Sequence, residues 1–312
     1  MKTFVPNYYK DFKCIAQKCK HNCCIGWKID IDEDTLSYYE NIKGKFFKKL
    51  MQGIENNDNC ASFRLDGKGR CAFLNENNLC EIILNIGEES LCQICSDHPR
   101  FRNYYSDRVE MGLGLCCEEA GRIILGQDIP FSLVLHSDDD YENETNDTDS
   151  EFYKFRENLF KMLNDNTIFF KDKVKKLSSY CEIETPELST NEWIDLFLSL
   201  ERLDDYWSVV LNQLRETDIS DVETPEIFNK YFENLIKYFT YRHITEENDS
   251  EMMFFILTSY HMIENLCKMH IKNYGDLTSE DIVEYCRLYS AEIEYSDENI
   301  DKIIEISYKN EP

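Results

Sequence analysis

Eleven of the fourteen cysteines fall between Cys14 and Cys117, and only Cys181, Cys267 and Cys286 come later. Thiols at that density constrain the fold before any other feature does, and their meaning depends on compartment. The opening stretch MKTFVPNYYKDFKC is interrupted by Pro6, Lys10 and Asp11 and offers no apolar run long enough for a secretory h-region. No stretch approaches the ~20 apolar residues of a membrane span; the nearest, MMFFILTSY from Met252 to Tyr260, is about half that. The expectation is a soluble, cytoplasmic protein with no membrane partner. There thiols stay reduced, and a dense set binds metal or catalyses rather than forming disulfides.

The spacing is C-x4-C-x3-C-C at Cys14, Cys19, Cys23 and Cys24, a single Cys60, C-x8-C at Cys71 and Cys80, C-x2-C at Cys92 and Cys95, then Cys116-Cys117. A zinc ribbon or finger shows two short pairs across a spacer, a template this set fits poorly. Adjacent cysteines do not readily face one tetrahedral ion, so Cys23-Cys24 points to a multi-metal cluster, two neighbouring sites, or one ligand beside a bystander. Iron–sulfur clusters take thiolates from a tight group plus distant single residues, which suits the pattern better; zinc and metal-free redox thiols are the alternatives. A C-x3-C-x2-C radical motif is absent because position 26 is Gly, and Cys92-Gln-Ile-Cys95 lacks the strand–turn–helix setting of a redox C-x-x-C. His98 is a further candidate ligand, with a hydrogen-bonded structural role as its plainer reading.

The segments between these cysteines are short and punctuated by Gly and Asn, with strand-like alternation only in WKIDID. The expected fold is mainly α: an irregular cysteine-rich metal-binding domain over 1–135, an acidic linker or loop over 136–151, and an acidic α-helical domain over 152–312. Residues 136–151 carry eight acids and no Lys or Arg. Beyond them, apolar residues recur at three- and four-residue steps in 191–214, read as one buried-faced helix, and in 225–243, 251–275 and 279–294, and the domain as a whole is expected to hold five or six helices. Charge divides the same way: 17 Lys+Arg against 19 Asp+Glu over 1–135, a net of −2, and 17 against 41 over 136–312, a net of −24. Such a field repels nucleic acid and anionic membranes and favours a lysine-bearing partner, or serves solubility alone. No serine–histidine constellation, phosphate-binding glycine loop or paired-acid motif stands out.

The run Phe12, Cys14, Cys19, Cys23, Cys24, Gly26, Trp27, Ile31, Asp32 resembles the N-terminal motif of the flagellin lysine-N-methylase family. Three blocks in the same order are also similar to that family, namely CAFLNENNLCEI, GEESLCQICSDHPRF and LCCEEAGRIIL, and FENLIKYFTYRH resembles a Tyr-rich segment in the helical half. Position by position, the resemblance implies metal ligands at Cys14, Cys19, Cys23, Cys24, Cys71, Cys80, Cys95 and Cys117, with Cys60, Cys92 and Cys116 as extras and Cys92 close enough to Cys95 to assist. The chain departs from the family pattern at His98, Glu118 and Gly121.

The resemblance further implies methyl transfer from S-adenosylmethionine to lysine side chains of flagellin or another lysine-bearing protein, with a 4Fe-4S cluster required. No Rossmann-type glycine motif supports adenosylmethionine binding in the usual manner. Trp27, Arg100 and Arg122 are the candidates for cofactor contacts, against core packing for Trp27 and structural ion pairs for the arginines. Tyr231, Tyr238 and Tyr241 could line a lysine channel or simply pack. The competing function from another class is a non-catalytic zinc or Fe–S binding protein whose helical half is a docking surface; a metal-free thiol redox enzyme is the third.

Overall fold

The computed structural model describes residues 1–56, 60–138, 151–183, 188–245 and 249–308. In chain order the elements are β1 (Lys2–Pro6), β2 (Asp30–Ile31), α1 (Glu33–Asn41), α2 (Phe47–Gln52), β3 (Ile54–Asn56), β4 (Ala61–Phe63), α3 (Glu81–Ile86), α4 (Gln93–Asp97), β5 (Arg100–Tyr104), β6 (Arg108–Leu113), α5 (Glu118–Leu125) and β7 (Leu133–Asp138). The helical part follows as α6 (Glu151–Leu163), α7 (Phe170–Tyr180), α8 (Thr190–Ser199), α9 (Asp205–Glu216), α10 (Asn229–His243), α11 (Asp249–Tyr274), α12 (Ser279–Tyr289) and α13 (Asp297–Tyr308). The fold is mainly α, as the periodicity predicts, and no helix among the described residues is long and apolar enough to cross a membrane.

The elements form two compact units, Lys13–Phe101 and a larger one of Met1–Phe12 with Arg102–Pro312. The division differs from the expected boundary at 135. Strand β1 lies in the larger unit because it pairs parallel with β6, Lys2 opposite Arg108, and antiparallel with β7, Val5 opposite Val134, in a sheet of order β5-β6-β1-β7. No alternation in the sequence announces this sheet, whose pairings join positions about a hundred residues apart. Of the expected acidic linker, 139–150 lies outside the described residues.

The smaller unit wraps loops and short helices around Ile29, Tyr39, Leu50, Phe63, Phe73 and Ile82. WKIDID ends in β2, which pairs antiparallel with β4, and β4 with β3. Asp32 closes this arrangement with two carboxylate oxygens: Oδ1 accepts from Thr35 N at the start of α1 and Oδ2 from Gln93 N at the start of α4, both at 2.9 Å. Gly53 admits the ring of Phe73, since a Cβ there would stand 2.3 Å from Phe73 Cζ.

In the larger unit the helical stretch expected as one helix over 191–214 is two. A capping box at Ser189 and Glu192 starts α8, and the chain turns extended at Leu200 before Asp204 caps α9. The break is stabilised from elsewhere in the unit: the Glu292 carboxylate accepts from Leu203 N at 2.8 Å and Asp204 N at 3.1 Å, and Asn299 Nδ2 donates to Glu201 O at 2.8 Å. Helices α6, α7 and α13 were not among the segments singled out by periodicity. Helix α10 is buried on nearly every side at Leu235, Ile236, Tyr238, Phe239 and Tyr241.

A buried ion pair ties α6 to the sheet. Arg156, 3% exposed, donates through Nη2 to both oxygens of Glu110, 0% exposed, at 2.6 and 2.7 Å, and through Nη1 to Tyr105 OH at 3.1 Å. Removing one partner strands the other's charge in the interior, which costs about 3–5 kcal/mol. Glu110→Gln should therefore lower the unfolding free energy by about that amount in urea titrations, whereas Asp195→Asn, at an exposed pair with Arg215, should change it by less than about 1 kcal/mol.

A candidate metal centre and a buried carboxylate network

In the smaller unit the backbone brings distant cysteines together. Gly26, at φ +95°, turns the chain after Cys24, and its amide donates to Gly69 O at 3.0 Å. The neighbouring strand-like contact has Cys71 N donating to Cys24 O at 2.9 Å. Cys80 bridges to Leu74 and precedes α3, and Cys92 precedes α4, where Ser96 N donates to its carbonyl. Cys71 and Cys92 are buried in the core, and Cys24, Cys80 and Cys95 pack against it.

The thiols interact electrostatically as one set: Cys24 with Cys23, Cys71 and Cys80, Cys80 with Cys23 and Cys92, and Cys95 with Cys92, Cys24 and Cys71. Within two pairs a thiol–thiol hydrogen bond divides the acidity. Cys24 holds Cys23 below the ordinary thiol range and is itself pushed above it, and Cys95 does the same for Cys92. Burial raises Cys71 to about 11. Each pair thus has one sulfur more acidic than the other. The six are neighbours rather than a finished ligand shell, since among the described residues no three His, Cys, Asp or Glu side chains are arranged to hold a metal ion.

Five of the eight expected ligands, Cys23, Cys24, Cys71, Cys80 and Cys95, meet here, together with Cys92, which the sequence pattern sets aside as an extra. Cys14 is exposed, its sulfur accepting from Ala16 N at 3.4 Å, and Cys19 is half-buried with its thiol donating to His21 O at 3.2 Å. Neither packs on the core. Cys117 belongs to the larger unit, at the start of α5. Trp27 lies beside the thiols: its indole N–H donates to Cys23 O at 2.6 Å, and its ring stands 6.5 Å from that of His98. Burial, reinforced by Arg100, holds His98 down at about 4, so its imidazole is neutral near pH 7. Arg100 donates to Ser96 O at 3.2 Å. Arg122 is committed to three carboxylates, Glu118 at 2.5 Å, Glu119 at 3.1 Å and Glu280 at 2.8 Å, which is the structural ion-pair reading.

The larger unit holds a second concentration of chemistry that no sequence motif marks. The Glu294 side chain is fully buried on the π-helical turn Ser290–Glu294 that follows α12. It accepts from Tyr238 OH at 2.7 Å, His243 Nε2 at 2.8 Å and Ser290 Oγ, and pairs ionically with Arg242 Nε at 3.1 Å. Burial would raise its carboxyl, but Arg242 and these hydrogen bonds override that and hold it below the ordinary carboxylate range. Burial likewise lowers His243. The Arg242 guanidinium lies 4.4 Å over the ring of half-exposed Tyr295, which hydrogen-bonds Cys116, so the network reaches solvent. Burial raises Cys116 to about 11. Of the tyrosine stripe, Tyr238 and Tyr241 are buried, with Tyr241 OH donating to Met111 O at 3.2 Å, so these two pack in the interior. The available signal for this network was a pair of glutamates inside an apolar-periodic segment.

A family model described as the FliB lysine N-methylase C-terminal domain matches residues 101–312, more than half of the chain. The chain belongs to the FliB lysine N-methylase family. Two lysine-N-methylases, from Salmonella choleraesuis and Salmonella typhimurium, are each 30% identical over 136 residues, covering 42% of this chain and 33% of theirs. The flagellar biosynthetic protein FliU of Salmonella muenchen is 30% identical over 136 residues, covering 42% of this chain and 79% of its own. The match thus spans about a third of the length of the two lysine-N-methylases. No solved structure matches. The FliB-matched region includes the Glu294 network, Cys116, Cys117 and Arg122, and the six neighbouring thiols lie before it.

Glu294→Gln leaves the Arg242 charge buried without its counterion and should destabilise the protein by about 3 kcal/mol at pH 7. Because the folded carboxyl lies below its unfolded value of 4.5, its stabilisation is complete above about pH 4.5 and is lost as pH falls through the folded value. The difference between wild type and variant in chemical unfolding should therefore shrink below pH 4.5.

Proposed function

We propose that the protein transfers a methyl group from S-adenosylmethionine to lysine side chains of flagellin. The FliB family match over 101–312 is the observation that carries this reading, and the names of the relatives support it. In such a transfer the lysine nitrogen attacks the methyl carbon as the carbon–sulfur bond breaks, and the nitrogen must shed a proton because an ammonium has no lone pair. The strongly acidic 136–312 portion, at net −24, suits a lysine-bearing protein substrate by drawing it in as the cation. Deprotonation then requires a carboxylate or neutral imidazole within reach.

The donor set of the smaller unit has the chemistry of a thiophilic metal site, and four of Cys23, Cys24, Cys71, Cys80, Cys92 and Cys95 would hold a single cluster. An Fe–S cluster bound there would supply covalent cross-links to a unit whose regular elements are short, together with a Lewis-acidic centre. Trp27 shields the Cys23 carbonyl, and neutral His98 adds no competing charge.

Incubation of oxygen-free protein with methyl-labelled adenosylmethionine and flagellin should label lysine; absence of label on flagellin under all metal loadings would refute the reading. Iron and acid-labile sulfide should be present at about four each per chain, as in a single 4Fe-4S cluster. Cys71→Ala and Cys92→Ala should lose most of the metal, whereas Cys267→Ala and Cys286→Ala should retain it. Zinc without sulfide would replace the cluster with a structural zinc site and leave methyl transfer to the labelling experiment.

A further inference from the structure

A cavity of about 400 Å³ opens in the larger unit against one stripe of α6. Its size lies in the range that holds small-molecule cofactors, roughly 300–1,000 Å³. Tyr153, Arg156, Phe160 and Lys161 line it at the spacing that places residues on one helix face, and Phe131 and Arg108 stand opposite.

Two guanidiniums are held in its wall by carboxylates on the protein side. Glu110 and Tyr105 take Nη2 and Nη1 of Arg156, and Arg156 Nε–H donates to nothing among the described residues. Asp107 accepts from Arg108 Nε at 3.3 Å and from Tyr153 OH at 2.8 Å, setting the Arg108 guanidinium 3.9 Å over the Tyr153 ring. Lys161, paired with Glu157 at 2.9 Å, is exposed at the rim. Phe131 and Phe160 stack at 4.4 Å and 24°. A ligand with no anionic group would meet two arginines without answering them, and a purely apolar one would leave a guanidinium donor unpaired. A flat ring joined to an anionic group satisfies both the aromatic surfaces and the donors.

We propose that this cavity binds a purine nucleoside bearing an anionic group, with the ring against Phe131 and Phe160 and the anion toward Arg156 and Arg108. The choice of nucleoside rests on the methyl-transfer reading above, whose donor is an adenosyl amino acid. The anion could be a carboxylate or a phosphate, and the probes separate the two.

The full chain is titrated calorimetrically with S-adenosylhomocysteine and, separately, with AMP, alongside Ser132→Trp, which fills the cavity from an exposed lining position, and Lys161→Glu at the rim. The expected result is binding of S-adenosylhomocysteine, weakened at least tenfold in both variants with thermal midpoints unchanged. Binding of AMP alone, weakened the same way, supports the cavity as a nucleotide site and takes the methyl donor elsewhere. Equal S-adenosylhomocysteine affinity in wild type and variants overturns the cavity while leaving methyl transfer intact. Binding of neither probe also overturns it, and flagellin labelling shows independently whether methyl transfer falls as well. If Ser132→Trp does not fold, Lys161→Glu and competition by inorganic phosphate carry the test.

Discussion

The carboxylate of Glu294, without solvent exposure, gathers hydrogen bonds from Tyr238 and His243 of α10 and from Ser290 on its own π-helical turn, and an ion pair from Arg242 of α10. An ionised group in the interior persists only when its charge and lone pairs are matched, so these partners have little freedom to move independently. Tyr238 extends the constraint by accepting from Leu115 N at 3.1 Å, just before Cys116-Cys117 and α5. Asn299 of α13 donates to Glu292 O at 3.0 Å, and Glu292 in turn receives the amides that begin α9. One buried acidic turn therefore sets the relative placement of α5, α9, α10, α12 and α13.

Other charges in the larger unit follow the same rule. Lys173, 2% exposed, donates to Leu163 O at 2.7 Å and to Glu233 at 2.5 Å, while Lys237 takes the other Glu233 oxygen at 2.6 Å. Such pairs add little net stability relative to well-packed apolar side chains, because desolvation offsets attraction. Their consequence is specificity of arrangement: a slipped helix would leave a bare charge inside.

The smaller unit solves its problem differently. Its helices are short, its sheet is three brief strands, and its core is small, with the thiols of Cys71 and Cys92 buried among aliphatic and aromatic side chains and Cys24, Cys80 and Cys95 packed against them. Cysteine serves two purposes at such positions, packing as a small apolar residue while protonated and ligating as thiolate. The two hydrogen-bonded pairs, Cys23–Cys24 and Cys92–Cys95, stand between those states.

The amino-acid sequence by itself determined the helical character of the C-terminal half, the density of thiols before Cys117, the separation of charge and the family, because periodicity, composition and short motifs are local properties. Cys23, Cys24, Cys71, Cys80 and Cys95 were singled out for the same reason, and these five thiols are neighbours in the fold. Tertiary structure decided what those properties could not: that Cys92 joins the thiols because Asp32 anchors the first turn of α4, and that Cys14 and Cys19 stay outside the core. It alone revealed that β1 joins a sheet with β6 and β7, and that the run from 191 to 214 breaks where Glu292 meets its amides. Each depends on partners tens of residues or more away, and a contact stabilised by long-range pairing leaves no periodic trace in either segment that makes it.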